Sequence, residues 1–261
     1  MPELPDVEAY RRHLVATALH RRIDGVEHVS TEMLTGLSAT TLRRKLVGTS
    51  LESSRRHGKY LFARTDGGPW LVLHFGMTGR LDCDGRAGGD RDHTRLVLAL
   101  HGGCSLAFED QRKLGGIWLT DDVDHFIAAR NLGPDALTVE KAGFLDALHG
   151  RRGAVKATLM NQSIVAGIGN IYADEILFHA RVHPRRPVQQ LDEGARVQLH
   201  RQVRHVLGTA ADRNADPGRM PRSWLLPRRT EGEPCPRCGG RVERIRASGR
   251  SAYLCPRCQR R

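Results

Sequence analysis

The chain has 261 residues, with 41 Lys and Arg against 29 Asp and Glu, a formal net charge of +12. Its hydrophobic fraction of 39% is enough for the core of one large domain or two ordinary ones. No apolar run approaches the ~20 residues of a membrane span, and no basic segment followed by an apolar stretch opens the chain. A soluble cytoplasmic protein is therefore expected.

The charge is lopsided. Residues 1–150 hold 19 basic and 20 acidic residues, whereas residues 151–261 hold 22 and 9. A cationic excess of this kind faces a polyanion, most often nucleic acid. The preference for Arg over Lys also reads as compositional bias, but bias does not confine the excess to one half.

The chain opens Met-Pro-Glu-Leu-Pro-Asp-Val-Glu. Trimming of Met1 leaves Pro2 as a free secondary amine. An α-amino group titrates at ~7.7–8.0, so an unprotonated fraction is present near neutral pH. Such an amine can attack an electrophilic carbon and form an iminium, as a Schiff-base lysine does. Glu3 follows and can exchange protons. The same residues also read as an ordinary helix start with Pro5 in its first turn. A helix is expected over residues 5–20, with Val7, Tyr10 and Leu14 on one face. A second is expected over residues 37–46, with Ser38 or Thr40 near its start.

From about residue 50 the period changes. Residues 51–66, 70–82, 94–101, 105–109 and 117–120 read as strands. They are separated by turns at Gly67-Gly68, Gly88-Gly89 and Gly102-Gly103. Short strands in series predict a β-sandwich or barrel-like first domain. Within them lie Arg55-Arg-His-Gly-Lys-Tyr-Leu61 and His74-Phe-Gly-Met-Thr-Gly79. Lys59 reads as a directed cation among apolar neighbours or as part of a solvated basic strand. Met77 reads as a protruding side chain in a Gly-flanked turn or as a core methionine.

After Thr120 the strand signal stops. Residues 124–130, 139–149, 154–161, 171–179 and 192–212 read as helices, and a β-rich half followed by a helical half predicts separate domains. The junction falls in Asn131-Leu-Gly-Pro-Asp135. In Gly167-Ile-Gly-Asn170 the glycines precede a new helix, and Asn170 stands where an N-cap belongs. Such an N-terminus suits a phosphate. A nucleotide-binding Gly-x-Gly turn is the alternative, although no strand precedes it.

Residues 214–233 are rich in Pro, Gly and Arg and read as a linker. Cys235-Pro-Arg-Cys238 and Cys255-Pro-Arg-Cys258 then match the two-pair spacing of a structural zinc site. Residues 241–254 between them are expected to form a β-hairpin. Disulfide or redox pairing is the alternative. Cys83 and Cys104 stand alone and read as small buried apolar residues.

Taken together and in this order, the proline start, Gly-Lys-Tyr-Leu, His-Phe-Gly-Met-Thr-Gly, Gly-Ile-Gly-Asn-Ile-Tyr-Ala-Asp-Glu and the four-cysteine finger resemble the formamidopyrimidine-DNA glycosylases, a family shared with endonuclease VIII. The resemblance covers nearly the whole chain. It implies an α+β multidomain fold. An N-terminal helix and β-sandwich would occupy residues 1–130, a helical domain with a helix–two-turns–helix motif residues 131–228, and a β-hairpin zinc finger residues 229–261.

The function implied is base-excision repair by a bifunctional DNA glycosylase and AP lyase, which flips a damaged nucleotide out of double-stranded DNA. Pro2, Glu3, Lys59 and Arg250 are the implied catalytic residues. Met77, His93, Arg112, Leu114, Lys156 and Asn170 are the implied DNA contacts, with Met77 wedged into the gap left by the flipped base. Cys235, Cys238, Cys255 and Cys258 would hold one structural Zn²⁺, with no catalytic cofactor. A monomer in the bacterial cytoplasm, at the nucleoid, is implied. The alternatives are a catalytically silent zinc protein that binds damaged DNA and an endonuclease VIII-like enzyme for oxidised pyrimidines.

Two departures stand out. Asp110-Gln-Arg-Lys-Leu-Gly115 keeps the arginine but places Leu114 where the family often has an aromatic wedge. In residues 216–229 the Gly-Lys-Pro-Gly-Tyr-Phe-type loop that covers oxidised guanine is absent or altered, so ring-opened purines, hydantoins, oxidised pyrimidines or plain abasic sites are expected to be better substrates than 8-oxoguanine.

Overall fold

A computed structural model describes residues 1–83 and 92–260. The expected Gly88-Gly89 turn lies outside the described residues. The chain divides into two compact units, one of Met1–Pro2 and Asp6–Arg130, the other of Glu3–Pro5 and Asn131–Arg261.

The first helix, α1, spans Leu4–Thr17. In the first unit it is followed by β1 (Ile23–Val29), α2 (Ala39–Leu46), β2 (Leu51–His57), β3 (Tyr60–Thr65), β4 (Trp70–His74), β5 (Arg80–Asp82), β6 (Thr94–Leu100), β7 (Cys104–Glu109), β8 (Gly116–Thr120) and α3 (Val123–Ala129). Ser38 caps α2, its hydroxyl accepting from Thr41 N. The strands form two four-stranded antiparallel sheets, ordered β1-β6-β7-β5 and β2-β3-β4-β8.

Alternation along the strands builds the sandwich. Leu61, Ala63, Leu71 and Leu73 join Leu96, Leu98, Leu106 and Phe108 in one buried cluster with Val7 and Leu14 of α1. Each such large apolar side chain stabilises the fold by ~1.5–3 kcal/mol. Phe62 and Val72, one residue out of phase, form a separate cluster with Val123 and Phe126 of α3.

Two strands expected as continuous are each divided. Residues 51–66 form a hairpin, because Gly58 turns the chain at φ +55°, a conformation that favours glycine. Lys59 thus sits in a turn rather than a strand. Residues 70–82 divide between the two sheets as β4 and β5.

The second unit holds α4 (Lys141–Leu148), α5 (Val155–Met160), α6 (Asn170–Ala180), α7 (Glu193–Asp212), β9 (Glu243–Ala247) and β10 (Arg250–Leu254). Its core joins Leu4 with Phe144, Leu159, Ile168, Ile176, Leu199 and Val203. The antiparallel β9–β10 hairpin and the cysteine turns pack through Val242, Cys235 and Cys255 onto Phe178 of α6. This is the α+β architecture expected: a helix with a β-sandwich, a helical part and a C-terminal cysteine-bearing hairpin. Among the described residues no helix is long and apolar enough to cross a membrane.

Candidate active site and nucleic-acid interface

The chain's start is tied to the N-terminus of α6. Glu3 is 1% exposed. Its carboxylate accepts hydrogen bonds from Gly169 N (2.8 Å), Ile171 N (2.8 Å) and Tyr172 N (3.2 Å). These are the unpaired first-turn donors of a helix, and a carboxylate there also opposes the positive end of the helix dipole. Leu4 N donates to Gly167 O at 3.0 Å. A side chain at residue 169 would collide with the Glu3 carboxyl, which explains Gly169. The structure corrects the expectation for Asn170. It is the first helical residue, the cap position is Gly169, and the capping group comes from Glu3, far away in sequence. Asn170 Oδ1 has no hydrogen-bond partner among the described residues. Pro2 is buried and is held in place by its neighbour.

In the first unit, the turn carrying Lys59 is braced from α1. Glu8, 7% exposed, meets Arg11 at 2.8 Å and Arg56 at 3.3 Å. Burial alone would raise the Glu8 carboxyl, but the Arg11, Arg56 and Arg12 guanidinium groups outweigh it and hold the group below its usual range. Arg56 Nη1 in turn donates to Gly58 O at 3.0 Å. Lys59 lies near enough to His74 to act on it electrostatically. Burial, with Lys59 adding to it, pushes the His74 imidazole down to about 4. Neutral at pH 7, its Nδ1 accepts from Gly76 N at 3.3 Å and steadies the loop before Met77.

That loop and residues 110–115 are pinned together by a carboxylate that no sequence motif marks out. Asp110 is fully buried. It accepts from Thr78 Oγ1 (2.6 Å), Arg112 N (3.3 Å) and Gly115 N (2.8 Å). The result is a small platform on which Met77 (39% exposed) and Leu114 (50% exposed) stand out as bare apolar groups. Arg112 donates from Nη1 to Met77 Sδ at 3.2 Å. Met77 is thus no core methionine. His93 is half-buried and lines a pocket with Thr78, Arg80, Glu109 and Gln111.

In the second unit, Arg250 opens β10. It is exposed, and its guanidinium has no hydrogen bond or ion pair among the described residues. It shares a pocket of about 200 Å³ with Lys156, Asn161 and Ser248. Lys156, expected at the DNA, is 1% exposed. Its ammonium lies 2.6 Å from Asp174 Oδ1 and donates to Ser251 O at 2.8 Å. Desolvation lowers its pKa, partly offset by Asp174.

The four sulfurs of Cys235, Cys238, Cys255 and Cys258 all lie within 4.8 Å of one another. The Cys238–Cys255 and Cys235–Cys258 separations of 3.5 and 3.9 Å are far beyond the ~2.05 Å of a disulfide. They bracket the S···S spacing of about 3.8 Å that a tetrahedron with Zn–S ~2.3 Å requires. Burial, then the neighbouring thiols, push Cys258 up to about 12, whereas the Gly240 backbone N–H and then the Cys258 thiol bring Cys238 down to about 7, so the cluster readily carries one thiolate and needs a cation at its centre to carry four. The donor set suits Zn²⁺ and fills all four positions.

Residues 216–229 are packed rather than extended. Two 3-10 turns, Pro217–Arg219 and Leu226–Arg228, flank Met220 and Trp224, which are 6% and 2% exposed. Leu225 N and Leu226 N donate to the buried Glu175 carboxylate at 3.1 and 2.7 Å.

Comparisons with known proteins agree with this geometry. Residues 1–117 match the formamidopyrimidine-DNA glycosylase N-terminal domain, residues 132–220 the formamidopyrimidine-DNA glycosylase H2TH domain, and residues 232–261 the zinc finger found in FPG and IleRS. The formamidopyrimidine-DNA glycosylase of Geobacter metallireducens is 40% identical over 272 residues, covering 99% of this chain and 100% of the relative. That of Pelotomaculum thermopropionicum is 35% identical over 276 residues, covering 100% and 99%. The Lactococcus lactis Fpg complex with DNA containing an abasic site superposes with a TM-score of 0.89 at 28% identity, covering 99% of this chain and 100% of that one. With its three modules matched in order along almost its whole length, this chain belongs to the formamidopyrimidine-DNA glycosylase family.

Proposed function

We propose that this chain is a base-excision repair DNA glycosylase with AP lyase activity, and that the Pro2 amine is its nucleophile. The observation that carries the mechanism is the clasp on Glu3, whose carboxylate is fixed by three backbone N–H groups directly beside Pro2. A protein that only binds damaged DNA has no need of a Pro2-Glu3 start.

With Met1 removed, the Pro2 nitrogen attacks C1′ of the flipped nucleotide and the bond to the damaged base breaks. Glu3 handles the protons at the sugar as its ring opens. The iminium formed with Pro2 acidifies the C2′ proton. Its loss expels the 3′ phosphate, and a further elimination expels the 5′ phosphate, so the strand is cut on both sides. Lys59, on its braced turn, serves the lesion and its phosphate. Arg250 and Asn170 grip the backbone around the flipped nucleotide, while His93 contacts DNA nearby. Met77 and Leu114 fill the vacated stack and Arg112 reaches the orphaned base.

Residues 1–130 supply the chemistry and the wedge, residues 131–228 the helix–two-turns–helix grip, and residues 229–261 the finger. One Zn²⁺ on the four cysteines supplies folding energy to the finger. The partner is double-stranded DNA carrying oxidised bases or abasic sites, bound by a monomer in the bacterial cytoplasm. The packed 216–229 segment favours lesions that need no mobile cover, such as ring-opened purines, hydantoins, oxidised pyrimidines and plain abasic sites.

Borohydride reduction with abasic-site duplex tests this reading. A covalent protein–DNA adduct is expected. Glu3→Gln should slow excision by about 10²-fold or more, in line with the loss of a positioned proton carrier. No adduct from folded, correctly trimmed protein would overturn the proposal.

A further inference from the structure

We propose that Asp174 is a positioning residue that sets the place of Arg250 through the backbone of β10, a reading that rests on Arg250 gripping phosphate. Asp174 is fully buried on α6. Its carboxylate gathers three partners from three segments. Lys156 Nζ of α5 lies at 2.6 Å. Arg229, closing the 216–229 segment, donates from Nη2 at 2.8 Å and from Nε at 3.0 Å. Tyr253 N of β10 donates at 3.2 Å.

Lys156 completes the hold on the same strand by donating to Ser251 O at 2.8 Å. The backbone of β10 is thus fixed at residues 251 and 253, one and three residues beyond Arg250. Arg229 also lies over the Tyr253 ring at 4.5 Å, closing the cluster from the side of the 216–229 segment.

The chemistry explains why a carboxylate stands here. Two cations, one of them 1% exposed, share a buried anion. Removing the anion leaves a lysine and an arginine desolvated together, and burying a charge without a partner is strongly unfavourable. The lysine would then leave the cluster, releasing Ser251 O, or lose its proton, leaving only a weaker neutral donor to Ser251 O. The Arg250 guanidinium has no hydrogen bond among the described residues, so its placement depends on the strand that carries it. Buried at the centre of this cluster, Lys156 acts on DNA through Ser251 rather than by direct contact.

The test is a double-mutant cycle read by salt dependence. Binding of an abasic-site duplex is measured against salt concentration for the full-length protein, Asp174→Asn, Arg250→Ala and the double variant, with zinc content and melting temperature recorded for each. Arg250→Ala should reduce the salt slope by about one, the value of a single phosphate contact. Asp174→Asn should reduce it by a similar amount while keeping zinc, and the double variant should bind no more weakly than either single one. Should Asp174→Asn lose zinc, Lys156→Gln is used in its place with the same expected slope. A lowered melting temperature with an unchanged slope, or additive losses in the double variant, would overturn the positioning role. If Arg250→Ala itself leaves the slope unchanged, the phosphate grip assigned to Arg250 fails first, and this inference fails with it.

Discussion

Two buried carboxylates, Asp110 in the first unit and Asp174 in the second, organise their surroundings by opposite means. Among the described residues the Asp110 carboxylate takes neutral donors only, a threonine hydroxyl and two backbone N–H groups, while its backbone carbonyl accepts from Arg95 Nε. Asp174 takes a lysine, an arginine and one backbone N–H. The neutral arrangement fixes geometry with no net attraction for DNA, and it supports Met77 and Leu114, whose proposed task is one of shape. The charged arrangement lies in the half that carries the cationic excess, where the proposed task is to hold phosphate. On the proposed reading the Asp110 platform acts by fit and the Asp174 cluster by charge, and their variants should respond differently to salt.

Losing the metal should have the largest effect on the charged side. Cys238→Ser removes one of four thiolates, so zinc content should fall sharply and the 229–261 region should become open to protease. Full zinc content in the purified variant would refute the four-cysteine assignment.

On the neutral side, Asp110→Asn replaces an acceptor with a donor facing Gly115 N–H or the Thr78 hydroxyl. The cost is about 1–3 kcal/mol of stability, the usual price of a buried group left unpaired. Binding to abasic-site duplex should weaken with no change in salt slope, because no phosphate contact is lost. A slope that falls as it does in Arg250→Ala would erase the distinction between the two halves.

A pH dependence, negligible at neutral pH, completes the series. His74 titrates near 6.5 when unfolded, and burial brings it to about 4 in the fold. Between these values the unfolded chain takes up a proton that the folded chain refuses, so stability falls as pH drops from 6.5 towards 4. His74→Gln should flatten this part of the stability curve, by up to ~1.4 kcal/mol per pH unit. Glu8 acts in a lower window. Its folded pKa is depressed, so its contribution is present above its unfolded value and lost as pH falls through the folded one. An unchanged slope between pH 6.5 and 4 in His74→Gln would show that His74 is not the group responsible.

The motifs were legible because they are local. The cysteine spacing, the Gly-flanked Met77 and the Ser38 cap each depend on neighbours a few residues away. What the sequence concealed depends on distant partners. The donors at the start of α6 looked open to phosphate, yet three of them belong to Glu3. Lys156 looked like a DNA contact because burial of a lysine becomes tolerable only when Asp174 is seen beside it. β1 was missed because Ile23-Asp-Gly-Val-Glu-His-Val29 alternates poorly and finds its place by pairing with β6. Residues 51–66 read as one strand because a single glycine, Gly58, carries the whole turn.

The proposed attacking group is the amine of Pro2, placed beside the clasped Glu3. The direct measurement is mass-spectrometric mapping of the borohydride-trapped adduct, on protein with Met1 removed and on protein with Met1 retained. A single adducted peptide carrying the sugar at Pro2 is expected in the trimmed protein, and no adduct where Met1 keeps Pro2 as an amide. An adduct on Lys59 or any other lysine, or equal trapping with Met1 in place, would contradict it.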